Sequence, residues 1–307
     1  MRKQQINLAA ALMLFGVGLF ALSCQEPGEA LTDRKKREND QEIRDYLTQN
    51  NLRQDTIFND IYRVRTLARP GAQLANIGDE VQFHYVSRRL DGVIIDSTSQ
   101  AANIPFKTVL TGQITQADRQ AGFTNGLLLG VRFLVREGER ATLLVPSSVD
   151  QRIGSLLLPQ FAPIRYDLHV VSVRTEDEQI EEYIRAKKLT VTQKTNEGVR
   201  IIVTQARPDS ALITTGQTVT VKYTGRLLDD RTFDRNTTTG MEVRVGENRV
   251  IRGWEQAFLR LRRGEKALVI IPSSQGYGGQ AQAPRSGFVA IPPYSPLVFE
   301  MEIASVK

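Results

Sequence analysis

The sequence predicts an α+β protein made of two copies of one module, each an antiparallel sheet with a short helix against its concave side, preceded by a further short helix and strand. Two observations carry this. Residues 40–52 (DQEIRDYLTQNNL) reappear as 177–189 (DEQIEEYIRAKKL), and in the same spacing 78–85 (GDEVQFHY) answers 216–223 (GQTVTVKY). Downstream, Leu90–Asp91 answers Leu228–Asp229, Ile95–Asp96 answers Phe233–Asp234, and GERATLLVPSS from Gly138 answers GEKALVIIPSS from Gly264. Each copy closes on an alternating segment, RYDLHVVSV from Arg165 and LVFEMEIASV from Leu297, the period of a half-buried strand.

The amino terminus reads as an address. Arg2 and Lys3 precede an uncharged apolar run at 8–22, and small residues lead to Cys24, the layout of a secretory signal over 1–23. Cys24 is the only cysteine, which excludes a disulfide framework and a zinc–thiolate site. Its place at the end of the run points to lipidation, with a plain signal or an uncleaved membrane helix as the alternatives. Residues 24–39 read as a tether, and the basic run 34–37 (RKKR) in it is either a solvated stretch or a contact for anionic head groups. The formal charge of +6 falls to about +4 without the leader, a weak and dispersed excess that gives no footing for nucleic acid.

The first module then takes 40–175. Residues 176–215 read as a linker helix and strand, with Ile180, Tyr183 and Ile184 spaced for one helical face. Residues 216–307 form the second module. Its segments TVTVKYTGRL, ALVIIPSS and LVFEMEIASV are rich in branched residues and alternate, as sheet strands do. In WEQAFLRL, Trp254, Ala257, Phe258 and Leu261 share a helical face.

The second module resembles the FK506-binding (FKBP-type) proline isomerases, since VKYTGRLLDDRTFD, VGENRVIRGWEQAF, IPSSQGYG and IPPYSPLVFEMEI occur in that family's order and spacing. The resemblance implies a bent antiparallel sheet wrapped around one helix, with an aromatic pocket for a prolyl ring between them. It implies Trp254 as the floor and Tyr223, Phe233 and Phe299 as sides. The Tyr277 hydroxyl and the Ile251 backbone N–H would hold substrate carbonyls, and Asp234 would orient or polarise, or simply accept turn N–H groups. Val250, Ile291, Met241 and Val243 would complete the substrate wall, the last two standing where aromatics are common. Ala290 replaces a larger aliphatic, and the loop 280–289 is longer than usual in the family, with Pro284, Arg285 and Phe288 in it.

Isomerising an Xaa-Pro bond breaks no covalent bond; it lowers a rotational barrier of about 18–20 kcal/mol. No nucleophile, metal or cofactor is required. An apolar pocket that binds the twisted amide better than the planar one suffices.

In the first module Tyr85 and Asp96 persist and Tyr166 replaces Phe299, but an aliphatic such as Leu128 stands for the tryptophan, no tyrosine follows Pro146 at the spacing of Tyr277 from Pro272, and no Ile-Pro-Pro occurs. It reads as a degenerate copy without activity. His84 and His169 both lie on its strands with no nucleophile beside them in sequence. The expected function is isomerisation of proline bonds in exported envelope proteins, with proline-containing polypeptides as clients. The expected place is the periplasmic face of the cell envelope, membrane-held through the lipid, the outer membrane before the inner. The alternatives are a non-catalytic chaperone and an accessory subunit of a membrane machine or envelope complex such as a gliding apparatus.

Overall fold

The computed structural model describes residues 30–99, 101–114, 124–150, 157–284 and 287–307. Cys24, the leader and Arg285 lie outside them. In the first module the strands are β1 (Thr56–Phe58), β2 (Ile61–Leu67), β3 (Glu80–Arg89), β4 (Ile94–Ser97), β5 (Phe106–Val109), β6 (Arg140–Val145) and β7 (Ile164–Arg174). They form one antiparallel sheet in the order β1-β2-β6-β7-β3-β4, with β5 also on β3. In the second, β8 (Gln193–Lys194), β9 (Arg200–Gln205), β10 (Thr218–Arg226), β11 (Thr232–Arg244), β12 (Lys266–Ile271) and β13 (Leu297–Val306) take the order β8-β9-β12-β13-β10-β11. The two orders correspond strand for strand, β11 standing for β4 and β5. The repeat is one of topology as well as of sequence.

Alternation sorts each sheet into a core face and an outer face. Along β10 every second residue is buried, putting Val219, Val221 and Tyr223 into a core with Trp254, Phe258, Val269 and Phe299. The outer face of each sheet is covered by the preceding helix. Helix α1 (Leu31–Gln49) lays Ile43 and Leu47 on Tyr62, Val64 and Leu144. Its counterpart α3 (Glu176–Ala186) lays Ile180 and Ile184 on Ile202, Ile270 and Val298. Helix α3 begins with a capping box between Thr175 and Glu178, which satisfies two otherwise orphaned backbone N–H groups.

Two sequence expectations are corrected here. Residues 31–39 are not a tether but the first turns of α1. They are built from good helix formers, with Lys35–Glu38 at 2.5 Å along the helix and Lys36–Asp60 at 2.7 Å out to the β1–β2 turn. Asn39 there is 3% exposed; its Oδ1 accepts the Ser147 N–H at 2.9 Å and its Nδ2 donates to the Phe161 carbonyl at 2.9 Å. Nor is 176–215 a linker, because α3 covers the second sheet and β8 and β9 complete it. The second module therefore starts at the helix. No helix of the described residues is long and apolar enough to cross a membrane.

Each sheet holds one helix on its concave side. In the second module it is α4 (Arg252–Phe258); in the first it is α2 (Asn125–Leu129), which runs into a π turn at Gly130–Leu134. The stretch from Gly126 to Gly138 is one residue longer than that from Gly253 to Gly264, and the π turn absorbs the extra residue.

Candidate functional site

The concave face of the second module carries a nest of aromatic rings. Helix α4 presses close to the sheet because Gly253 has no side chain: a Cβ there would lie 2.4 Å from Ile271 Cγ2. That approach drives Trp254, 4% exposed, in among the strand residues. Its ring meets Tyr223 of β10 at 4.9 Å between centroids and Phe299 of β13 at 5.1 Å, both edge-to-face, and Phe233 of β11 meets Phe299 at 5.5 Å and 86°. Such edge-to-face contacts suit the ring quadrupoles and fix the rings relative to one another.

Gly225 of β10 makes the nest possible. It pairs with Asp234 and Phe299 across the sheet, and a Cβ on it would stand 2.6 Å from the Phe233 ring and 2.9 Å from the Phe299 ring. A glycine inside an alternating strand is the sequence signal for such a close approach.

Asp234 makes the local contact that the sequence offered as one reading, accepting a neighbouring backbone N–H. Its Oδ1 accepts the Arg235 N–H at 2.8 Å, and its Oδ2 accepts the Tyr223 hydroxyl at 2.9 Å, so a polar pair stands at the edge of an apolar nest. The Trp254 indole N–H is buried with no hydrogen-bond partner among the described residues. A buried donor without an acceptor is costly.

The remaining expected residues differ in burial and in place. Ile251 is the N-cap of α4 and Val250 precedes it, both partly buried against the core. Ile291 is 6% exposed and bridges to Gln282 by a reciprocal pair of backbone hydrogen bonds, 2.9 and 3.1 Å, which pins the long loop at its root. Tyr277 follows a 3₁₀ turn at Ser273–Gln275 and is 37% exposed, the most accessible aromatic of the set. Val243 is buried in the core opposite Val219. Met241 is 38% exposed and stands outside the core cluster, just past a kink in β11 where Asn236 binds the Gly240 N–H and carbonyl at 3.0 and 2.9 Å.

The first module fills the same place differently. By register, Ser87 answers Gly225, Tyr166 answers Phe299 and Asp96 answers Asp234, and the Tyr85 hydroxyl donates to Asp96 at 2.7 Å. A Cβ on Gly126 would lie 2.9 Å from Val145, as one on Gly253 would meet Ile271, so Gly126 and Gly253 are equivalent. The residue at the tryptophan position is therefore Leu127, 0% exposed, and not Leu128. Over it lies a closed polar cluster. The Tyr166 hydroxyl donates to Asp150 Oδ2 at 2.6 Å and sits 3.1 Å from Thr124 Oγ1, and Asp150 Oδ1 accepts the Gly126 N–H at 2.9 Å. All three side chains are buried. Leu158-Pro159-Gln160 stands where the second module has Ile291-Pro292-Pro293. His84 and His169 stack at 6.4 Å on the opposite face, and His84 bonds Thr98 and Asn103.

The second module is thus an α+β domain in which an antiparallel sheet holds one helix with a nest of aromatic rings between them. Residues 210–304 match the family model for FKBP-type peptidyl-prolyl cis-trans isomerases. The chain is 36% identical to FK506-binding protein 2 of Dictyostelium discoideum over 33% of this chain and 75% of that protein. It is 38% identical to FK506-binding protein 1 of Eremothecium gossypii over 30% of this chain and 79% of that one. Among solved structures it is similar to the three FKBP domains of wheat FKBP73, at 22% identity over 80% of this chain and 94% of that one, TM-score 0.37. The chain belongs to the FKBP-type peptidyl-prolyl cis-trans isomerase family.

Proposed function

We propose that the second module is the isomerase of this chain, acting on Xaa-Pro bonds of exported proteins at the cell envelope, and that the first module is a non-catalytic copy. The observation that carries the assignment is the ring nest built on Trp254, Tyr223, Phe233 and Phe299. A prolyl ring stacks in such a nest, and rotation about the bond proceeds without reorganising the walls. As the amide twists, its resonance and charge separation fall, so an apolar, water-poor site favours the twisted form over the planar one. Asp234, held by the Tyr223 hydroxyl, orients the carbonyl at the edge, while Ile251 N–H and the Tyr277 hydroxyl hold the flanking carbonyls. Val250 and Ile291 close the apolar wall; Val243 supports it from below, and Met241 meets the chain beyond the proline. No cofactor enters this chemistry.

The envelope setting rests on the apolar run and Cys24: the chain is lipid-anchored and faces the periplasm, on the outer membrane before the inner. Incorporation of labelled fatty acid that disappears in Cys24→Ala tests the anchor, and no incorporation in the parent refutes it. The catalytic reading is tested on the full chain carrying Cys24→Ala. The cis-to-trans rate of short Xaa-Pro peptides should rise well above the spontaneous tens to hundreds of seconds and fall in Tyr277→Phe. A folded protein that accelerates none of several peptides leaves the nest as a client-binding site and favours the chaperone reading.

A further inference from the structure

Tyr294 occupies a position that neither packing nor turn geometry alone explains. Its backbone is left-handed, φ 54°, a conformation that suits glycine or asparagine and disfavours an aromatic residue. Its N–H donates to the Gly278 carbonyl at 2.8 Å, and Gly278 N–H in turn donates to the Ser273 carbonyl at 2.8 Å. The far end of its ring lies on Gly279, where a Cβ would come 2.6 Å from the phenol oxygen. Tyr294 thus grips by backbone and ring the two residues that follow Tyr277. The near edge of the same ring lies over Gly78 of the first module, whose Cβ, if present, would be 3.6 Å from Cδ1. Gly78 is buried and anchored by its own N–H to the Leu110 carbonyl at 2.8 Å.

The first module's counterpart makes the contrast plain. Phe161 has the same left-handed backbone, φ 64°, but its carbonyl is tied to Asn39 of its own helix α1. Tyr294 instead lines a cleft of about 430 Å³ between the modules, with Lys107 and Arg174 on one side and Tyr183 and Leu228 on the other. That junction is itself held. Arg174 at the end of β7 pairs with both Glu80 and Glu182, and the Gln179 amide donates to the Arg174 carbonyl at 3.3 Å.

We propose that Tyr294 is a positioning residue for the isomerase pocket, a strut through which the first module sets the Tyr277 loop of the second. The inference rests on the assignment of Tyr277 to the substrate site. A strained residue kept where two modules and a site loop meet is the kind of device by which a non-catalytic domain acts on a catalytic one.

The test uses the full chain with Tyr294→Asn, which keeps the left-handed backbone and removes the ring, and Tyr294→Phe, which keeps the ring. Tyr294→Asn should lower kcat/KM for Xaa-Pro peptides about threefold to tenfold, the scale of a small misplacement of a positioning group, while Tyr294→Phe keeps most of the activity. On a Tyr277→Phe background the same substitution should cost less than about twofold, because the loop then has nothing to position. Hydrogen exchange should rise both at 276–280 and at 76–80. Full activity in Tyr294→Asn, or a loss that adds to that of Tyr277→Phe, overturns the strut. Unchanged exchange at 76–80 overturns its link to the first module. An inactive parent overturns the isomerase reading instead, and exchange at 276–280 still reports whether Tyr294 holds the loop.

Discussion

The two modules share a strand order, a concave-side helix, a buried glycine that lets that helix approach and a Tyr–Asp pair at the edge. They part in what lies above the helix. In the second module Tyr223, Phe258 and Phe299 meet Trp254 edge to face and Phe233 meets Phe299, with the indole N–H unpartnered among the described residues. In the first, Thr124, Tyr166 and Asp150 bond to one another and to the Gly126 N–H over Leu127. One helix is covered by aromatic rings, the other by a hydrogen-bonded polar cluster. The same scaffold thus carries two different chemistries at the same place above its helix.

Making the second module more like the first should give the largest effect. Trp254→Leu reproduces the Leu127 arrangement and removes the floor that three rings meet. It should lower kcat/KM about tenfold to a hundredfold and destabilise the second module by about 3 kcal/mol through the lost volume. Peptide isomerisation and urea unfolding followed by circular dichroism read the two effects separately. Wild-type rates in this variant would mean that the nest is core and nothing else.

Opening the first module tests the other half of the contrast. Asp150→Ala leaves the Gly126 N–H and the Tyr166 hydroxyl without their buried acceptor, which should cost the first module about 2–3 kcal/mol. It should appear as an earlier first transition in urea unfolding, with isomerase activity unchanged. A fall in activity equal to the fall in stability would show that the first module shares in the chemistry. Gly225→Ala comes next. Its methyl group would overlap Phe233 and Phe299, and the overpacking should cost about 1–2 kcal/mol and several-fold in activity. At the matching position of the first module Ser87 is already accommodated, its hydroxyl donating to the Asp96 carbonyl at 3.1 Å, so Ser87→Ala should cost less than about 1 kcal/mol. Equal costs at the two positions would remove the steric account of Gly225.

Much of this was legible in the sequence because the repeat is read twice. Alternation in the strands and the Trp254–Leu261 face announced the sheet and helix, and family motifs named the ring residues that the structure brings together. What escaped has physical reasons. Residues 31–39 carry no apolar period, so nothing marked them as helix; their helix is extended by charge pairs and one buried asparagine. Strands β8 and β9 are short, and their membership in the sheet depends on pairing with β12, which is remote in sequence. The one-residue π turn after Leu129 shifts a linear alignment counted back from Gly138, which puts Leu128 opposite the tryptophan where the fold puts Leu127. Tyr294 carries no signal at all outside the three-dimensional junction.

The smallest effect concerns how each outer helix is tied to its sheet. Asn39 of α1 and Glu176 of α3 stand at equivalent places and receive the N–H and hydroxyl of Ser147 and Ser273 respectively. Burial pushes the Glu176 carboxyl above its ordinary value, against the opposing pull of the Ser273 hydrogen bonds and Arg200. The native state therefore holds this proton more tightly than the unfolded chain does. Its contribution is fully present below the unfolded value of 4.5 and is lost as pH rises through the raised native one. Glu176→Gln keeps an acceptor for Ser273 without the charge, as Asn39 does. Relative to the parent it should be more stable between mildly acidic and neutral pH and differ little at pH 4. Urea unfolding followed by the fluorescence of Trp254, the single tryptophan, reports on the second module alone. A Gln variant less stable than the parent at neutral pH would show instead that the charged hydrogen bonds to Ser273 outweigh the burial of Glu176, and that the two ties differ in kind.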